Sequence, residues 1–307
     1  MMSLRHLTSI RDLSAADITE LFRLAADMKR SPDGYRDALA GKTLAMIFQK
    51  PSTRTRVSFE VGIYQLGGVG LHLSGSDMQL GRGETVGDTA RVLSRYVNGI
   101  MARTHAHQDI VELARDATVP VINGLSDLLH PCQALADYFT LLEKKQPLKG
   151  RKITYVGDGN NMCHSLLYGA TKLGMHMAVA TPEGYQPKSI IMKSVQREAQ
   201  KVGVQVTLTE DPGIAVEGAD VVYTDVWASM GQETEAEQRK GIFQPYQVNG
   251  SLMAMAKPDA VFMHCLPAHR GEEVSAEVLD GPQSIVFDQA ENRLHVQKAI
   301  LHLLMKG

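Results

Sequence analysis

The chain has 307 residues, of which 44% are hydrophobic and 21% charged, and its formal net charge is −2 at pH 7. That length buries a sizeable core and suits two domains of ordinary size. The nearly neutral balance excludes a general nucleic-acid binder and a basic membrane-surface protein, so a cationic stretch needs a local explanation.

The first residues, MMSLRHLTSIRDLSAADITELF, carry no apolar leader core, so a signal peptide is not expected. No run of about 18 apolar residues occurs, so no membrane span is expected. Strand-like runs then alternate with helical ones. In the first half the runs are TLAMIF (43–48), VGLHL (69–73), GIMAR (99–103) and VPVING (119–124). In the second half they are KITYVGD (152–158), MAVATP (177–182), VQVTLTE (204–210), DVVYTDV (220–226), AVFMHC (260–265) and SIVFDQ (284–289). Among the helical stretches, QALADYFTLLEKK (133–145) sets Leu135, Phe139 and Leu142 on one face. The alternation predicts an α/β fold of two doubly wound parallel-sheet domains, linked by interdomain helices. The charge, proline and glycine of KKQPLKGRK (144–152) put the boundary there. The first domain is then 1–148, the second 149–289, and the tail 290–307 is an amphipathic helix packing back on the first.

Cysteines are three, Cys132, Cys163 and Cys265, with no CxxC spacing. An odd, scattered set speaks against a disulfide framework and a structural zinc site, and suits a reducing compartment such as the cytoplasm.

Ligands in open α/β sheets bind beyond the C-terminal ends of the strands. Six polar clusters fall at such ends: KPSTRTR, ARTHAH, DLLHPCQ, GDGNN, DVWASMG and HCLPAHR. With two domains, those ends can face one cleft. In FQKPSTRTRVSFE (48–60), Lys50, Arg54 and Arg56 sit among Ser52, Thr53, Thr55 and Ser58, between a strand and a helix. A helix N-terminus with hydroxyls and a guanidinium suits a phosphate; a capped helix with solvated arginines is the plainer reading. The GxxxxGK[ST] pattern of a P-loop is absent.

GDGNN (157–161) begins like a dinucleotide fingerprint, but Met162 stands where the third glycine belongs. Otherwise it is a tight turn with Asn160 or Asn161 as cap, and Asn161 could donate its amide to a carboxylate. His130-Pro131-Cys132-Gln133 either starts a helix at the surface or supplies an oxyanion donor in His130 and an amide reader in Gln133. His264, Cys265 and His269 could hold a metal, or Cys265 could be a reactive thiol or an inert buried one. Asp225 precedes a long charged stretch between Gly231 and Gly241 whose composition suits a mobile lid.

Taken together and in order, STRTR, HPCQ, DVWASMGQE and HCLPAHRGEEV resemble the aspartate/ornithine carbamoyltransferase family over the full chain. They resemble most its ornithine-using branch, since the aspartate branch carries HPLPR where HCLP stands here. The resemblance implies an enzyme that transfers the carbamoyl group of carbamoyl phosphate to the δ-amine of L-ornithine, without metal or other cofactor. Ser52, Thr53, Arg54 and Thr55 would hold the phosphate, with Arg103, His130, Pro131, Cys132, Gln133 and Arg293 completing that site. Gln79, in SDMQLGRGE, would reach a neighbouring subunit's site, which implies a homotrimer or a multiple of trimers. Asn161, Asp225, Ser229 and Met230 would bind ornithine. Cys265 and Leu266 would lie against the reacting centre, making Arg103, His130 and Cys265 the catalytic set. Gln49, Cys163 and Ala228 depart from the family's usual Glu, Ala and Val. Rival readings are a sister transferase for N-acetylornithine, succinylornithine or putrescine, a nucleotide-binding oxidoreductase, and a non-catalytic regulatory homologue.

Overall fold

A computed structural model describes residues 5–75, 78, 83–228 and 235–306. They form two compact units, residues 1–139 with 291–307, and residues 140–290. In the first unit, β1 (Thr43–Phe48), β2 (Val69–Ser74), β3 (Gly99–Arg103) and β4 (Val121–Leu125) make a parallel sheet in the order β2-β1-β3-β4. In the second, β5 (Lys152–Val156), β6 (His176–Ala180), β7 (Val206–Thr209), β8 (Val221–Thr224) and β9 (Val261–His264) make another, in the order β7-β6-β5-β8-β9.

The inner strands are continuous apolar runs, because a parallel strand covered on both faces has no solvent side. β3 is buried at every residue, and the edge strands β2 and β7 are mostly exposed or half-buried. Ala45, Ile47, Ile100, Ala102 and Val121 form one core with α3 (Val86–Leu93) and α4 (His107–Asp116). Val156, Ala178, Val222 and Phe262 form the other with α8 (Pro212–Val216), α10 (Gly250–Met253) and the aromatic rings of Phe243 and Tyr246.

Both sheets wind outward from their middle. β1 is flanked by β2 and β3, and β5 by β6 and β8, so each sheet has a switch point where successive connections leave in opposite directions. That is where an open α/β sheet presents its binding crevice.

Nine of the ten expected strands form. The tenth, SIVFDQ, does not: Ser284 makes only an isolated bridge to Phe262, and α12 (Val286–Met305) starts two residues later. Burial recurs at Val286, Gln289, Asn292 and Arg293, which is helical spacing, and a short apolar run does not itself distinguish the two conformations. α5 (Pro131–Lys145) also differs from expectation. It is buried on all sides from Pro131 to Leu141 rather than along one stripe, and Leu142 is only half-buried. α12 packs over α2 (Thr53–Gln65), where Gly62 leaves room for the Lys298 stem and Leu294.

Candidate active site

At the first switch point, Ser52 caps α2 and its hydroxyl accepts from the Thr55 N–H at 3.3 Å. Thr53 and Arg54 occupy the exposed first turn, where unpaired N–H groups and the helix dipole favour an anion. Arg56 is turned away and paired with Glu60 at 3.2 Å. Arg103 ends β3 opposite Phe48 of β1 and is buried, and the β3–β4 register shifts between Ala102 and Arg103. Such irregularities re-aim a side chain at a strand end. Gln49, next along from β1, accepts from the His105 N–H at 2.7 Å and donates to Asp109 at 3.1 Å. A glutamate there would oppose Asp109, which gives this departure a local reason.

His130 is buried immediately ahead of Pro131, which occupies the first position of α5. Gln133 Nε2 donates to Asp137 at 2.8 Å, and its carbonyl oxygen accepts from Arg293 on α12. The other arm of Arg293 donates to Thr55 Oγ1 at 3.1 Å. One guanidinium therefore joins the first turns of α2 and α5. Burial, and then the positive charges of Arg293, Arg103 and Arg54, hold His130 well below the usual imidazole range, so it is neutral. Burial pushes the Cys132 thiol up to about 12, and its Sγ donates to the Asn123 carbonyl at 3.4 Å. That side chain is structural, and Cys132 can serve a ligand only through its first-turn N–H.

At the second switch point, the chain leaves β5 through Gly157 at φ 136° and enters α6 (Asn161–Leu173) with Asn160 as cap. Gly159 is required, because a Cβ there would stand 2.3 Å from the Pro187 nitrogen. Asn160 Oδ1 accepts from the N–H groups of Met162 and Cys163, and its Nδ2 donates to Asp225 Oδ2 at 2.8 Å. Cys265, half-buried after β9, donates from Sγ to Asp225 Oδ1 at 3.0 Å. Asn161 is half-buried at the first position of α6. Leu266 has a left-handed backbone at φ 58°, and its N–H donates to His264 Nδ1 at 2.8 Å. Beside them, Asp158 pairs with Arg239 of α9 (Ala236–Phe243) at 3.0 Å, and Arg239 also donates to the Trp227 carbonyl at 2.9 Å.

Ligand atoms of Asp225, His264 and Cys265 lie within 4.8 Å of one another. Two of the three are already engaged through hydrogen bonds to each other, the thiol with the carboxylate, and His264 Nδ1 accepts the Leu266 N–H while Nε2 lies 3.2 Å from Glu273. His269, the third residue of the sequence-based metal alternative, is instead exposed, with Nδ1 3.5 Å from Glu273. Gln79, Ser229 and Met230 lie outside the described residues. A cavity of about 460 Å³ in the second unit is lined by residues such as Met253, Lys257, Glu277 and Val278, and none of the residues above lines it.

Sequence reasoning missed three participants. Asn160 was read only as a possible cap, although it also holds Asp225. Arg239 stood in the lid stretch without a partner assigned. Glu273 lay unremarked in the HRGEE run, where its distance from His264 in the chain is helical neither in spacing nor in structure.

The chain thus carries two parallel α/β sheets, a cationic anion cradle at one switch point and a carboxylate–thiol pair at the other. Residues 5–143 match the family model for the aspartate/ornithine carbamoyltransferase carbamoyl-P binding domain, and residues 149–304 the model for its Asp/Orn binding domain. The chain belongs to the aspartate/ornithine carbamoyltransferase family. Within it, the chain is 60% identical over 306 residues to the ornithine carbamoyltransferase of Thermococcus kodakarensis, covering 99% of this chain and 97% of that one. It is 58% identical to the anabolic ornithine carbamoyltransferase of Pyrococcus furiosus, again over 99% and 97%. The solved Pyrococcus furiosus structure superposes with a TM-score of 0.95, over 99% of this chain and 97% of that one. That of the anabolic enzyme from Campylobacter jejuni gives 0.93 at 41% identity, over 98% and 99%.

Proposed function

We propose that this carbamoyltransferase moves the carbamoyl group of carbamoyl phosphate to the δ-amine of L-ornithine, giving L-citrulline and phosphate. The observation that carries the reading is the buried His130 within the field of Arg54, Arg103 and Arg293, which together with burial depress its imidazole. That arrangement suits a dianionic phosphate next to a carbonyl that must become an oxyanion. Arg103 and His130 donate to the developing oxyanion, a contribution of roughly 3–4 kcal/mol for one good donor. Arg54, Ser52, Thr53, Thr55 and the α2 N-terminus receive the departing phosphate. Gln133 reads the carbamoyl amide, and Arg293 keeps Gln133 and Thr55 in register.

On the ornithine side, Asp225 accepts from the α-ammonium, and Asn161, Ser229 and Met230 take the carboxylate and amino region. An alkyl ammonium titrates near pH 10, so the nucleophile must lose a proton before attack. Cationic, desolvated surroundings favour the free amine. The Cys265–Asp225 pair is the group at hand to orient it and take its proton. Turnover and a pH profile both unchanged in Cys265→Ala would remove that role.

The reading extends to arginine supply in the cytoplasm and to a homotrimer or multiple of trimers to which Gln79 contributes. Exposed Val69 and Leu71 on edge strand β2 and Val57 and Tyr64 on α2 support an apolar contact between copies. Light scattering of the purified protein measures that assembly directly. The deciding assay offers L-ornithine, N-acetylornithine and putrescine in parallel with carbamoyl phosphate. Citrulline from ornithine alone is expected. Product only with another amine would keep the phosphate half and overturn the ornithine half. No product with any amine would favour a regulatory homologue.

A further inference from the structure

We propose that His264 and Glu273 are positioning residues: their buried pair selects one tautomer of His264, which holds the Leu266 backbone and sets the Cys265 thiol against Asp225. The proposal rests on the carbamoyltransferase reading for its kinetic consequence only.

Both side chains are fully buried, with 0% exposure. His264 Nδ1 accepts the Leu266 N–H at 2.8 Å, so Nδ1 carries no proton in this arrangement. The ring proton is then on Nε2, which stands 3.2 Å from Glu273 Oε1, within reach of its charge although the alignment falls short of a hydrogen bond. An ionised carboxylate only accepts, so it stabilises the Nε2–H form and disfavours the other tautomer. Swapping the proton to Nδ1 would set two donors face to face at Leu266 and leave Glu273 opposite a bare nitrogen.

Glu273 Oε1 also accepts the His269 N–H at 2.6 Å. One carboxylate oxygen therefore holds the loop's end at His269 and lies against the ring at its start, His264. At the loop's start, the His264 N–H donates to Gln289 Oε1 at 3.1 Å, and Gln289 Nε2 donates to the Tyr223 hydroxyl at 3.1 Å. The stretch so held contains Leu266 at φ 58°, a region unfavourable to a non-glycine residue that persists only where the surroundings over-determine it. The Leu266 N–H to His264 bond is such a determinant. Cys265 lies between the two anchored residues, and its Sγ reaches Asp225 Oδ1 at 3.0 Å. Burial alone would raise the Glu273 carboxyl. Its contacts with the His264 ring and the His269 N–H outweigh it and hold the group below its usual range. Glu273 is therefore an acceptor throughout neutral pH.

The test compares Glu273→Ala, Glu273→Gln, His264→Asn and His264→Ala with the parent by steady-state kinetics, iodoacetamide modification and ¹⁵N NMR of the histidine rings. Cys132 and Cys163 are fully buried, so alkylation of the folded protein reads Cys265. Glu273→Ala is expected to lower kcat by about 10- to 100-fold, the scale of a small misplacement of a reacting group. KM for carbamoyl phosphate should stay within about twofold while Cys265 alkylation speeds up, since positioning and not binding is lost. Glu273→Gln keeps an acceptor for both N–H groups and should restore most of the lost rate. His264→Asn keeps an acceptor for Leu266 and should be impaired less than His264→Ala.

A folded Glu273→Ala with parental kcat and parental alkylation overturns the proposal. So does a Glu273→Gln as impaired as Glu273→Ala, because then the charge and not the tautomer matters. If Glu273→Ala fails to fold, the NMR spectrum of the parent decides: a bare Nδ1 and protonated Nε2 on His264 support the proposal, and the opposite tautomer or an imidazolium refutes it. Alkylation and tautomer are read without substrate, so they stay decisive even if no citrulline is formed and the proposed activity fails.

Discussion

Asn160 joins two tasks in one amide: its oxygen caps α6, and its nitrogen donates to Asp225 Oδ2 at 2.8 Å. The bond fixes the carboxylate oxygen that Cys265 does not use. Helix start and candidate substrate ligand therefore depend on a single side chain. Asn160→Ala should lose about 1 kcal/mol of stability with the cap and also lower kcat/KM for ornithine. Asn160→Ser should keep a cap but lose the donor to Asp225, so its stability should stay nearer the parent while its turnover drops as far. Urea unfolding and citrulline formation separate the two effects. Parental turnover in Asn160→Ser would show that the amide contact is dispensable.

His130 is expected to stay neutral in the fold through the working pH range. Its imidazole is depressed by burial first and by Arg293, Arg103 and Arg54 next. The unfolded chain therefore takes up a proton that the fold refuses, and stability should fall as pH drops below about 6.5, the ordinary histidine value. His130→Asn removes that titration. Its unfolding midpoint should change less with acid than the parent's, while kcat falls by about 10²–10³-fold with the loss of an oxyanion donor. Thermal unfolding from pH 7.5 to 5 checks the first statement and steady-state kinetics the second.

Arg293→Lys tests whether the link between α2 and α5 needs a forked cation. The guanidinium reaches Gln133 with one nitrogen and Thr55 with another, and a lysine ammonium on a straight stem cannot hold both directions. Losing one charged hydrogen bond costs roughly 1.5–3 kcal/mol. KM for carbamoyl phosphate should therefore rise at least about tenfold, with KM for ornithine much less affected. Equal rises in both would place Arg293 outside the phosphate half.

Asp158 offers an optical handle, because Arg239 connects its carboxylate to the carbonyl of Trp227, the chain's single tryptophan. Burial raises the Asp158 carboxyl; Arg239 works against it by charge and hydrogen bond, Asp225 and Glu235 add to it, and the result is about 6. With a raised value, the fold binds this proton more tightly than the unfolded chain. Its contribution to stability is complete below the unfolded carboxylate range and is lost as pH rises through about 6. Protonation removes one of the two charge partners of Arg239, leaving Glu235 at 3.2 Å, so Trp227 emission should change with a midpoint near pH 6. Asp158→Asn should abolish the transition. A midpoint unchanged in that variant would assign it elsewhere.

The amino-acid sequence by itself determined the class of fold, nine strands, and the clusters STRTR, HPCQ, GDGNN and HCLP at strand ends. These follow from local physics: buried parallel strands need unbroken apolar runs, and helix starts need caps, within a few residues of chain. It did not determine that SIVFDQ starts a helix, since five or six apolar-rich residues fit either state until Phe262 and α12 compete for them. Nor did it determine which polar residues meet. Asn160 with Asp225, Arg239 with Asp158 and Glu273 with His264 are pairings made by sheet order, which sets β5 beside β8 and β8 beside β9. Tertiary structure alone also decided which groups lost water. Cys132 and Cys265 look equivalent in the chain, yet complete burial silences the first thiol, and a half-buried position beside a carboxylate gives the second a partner.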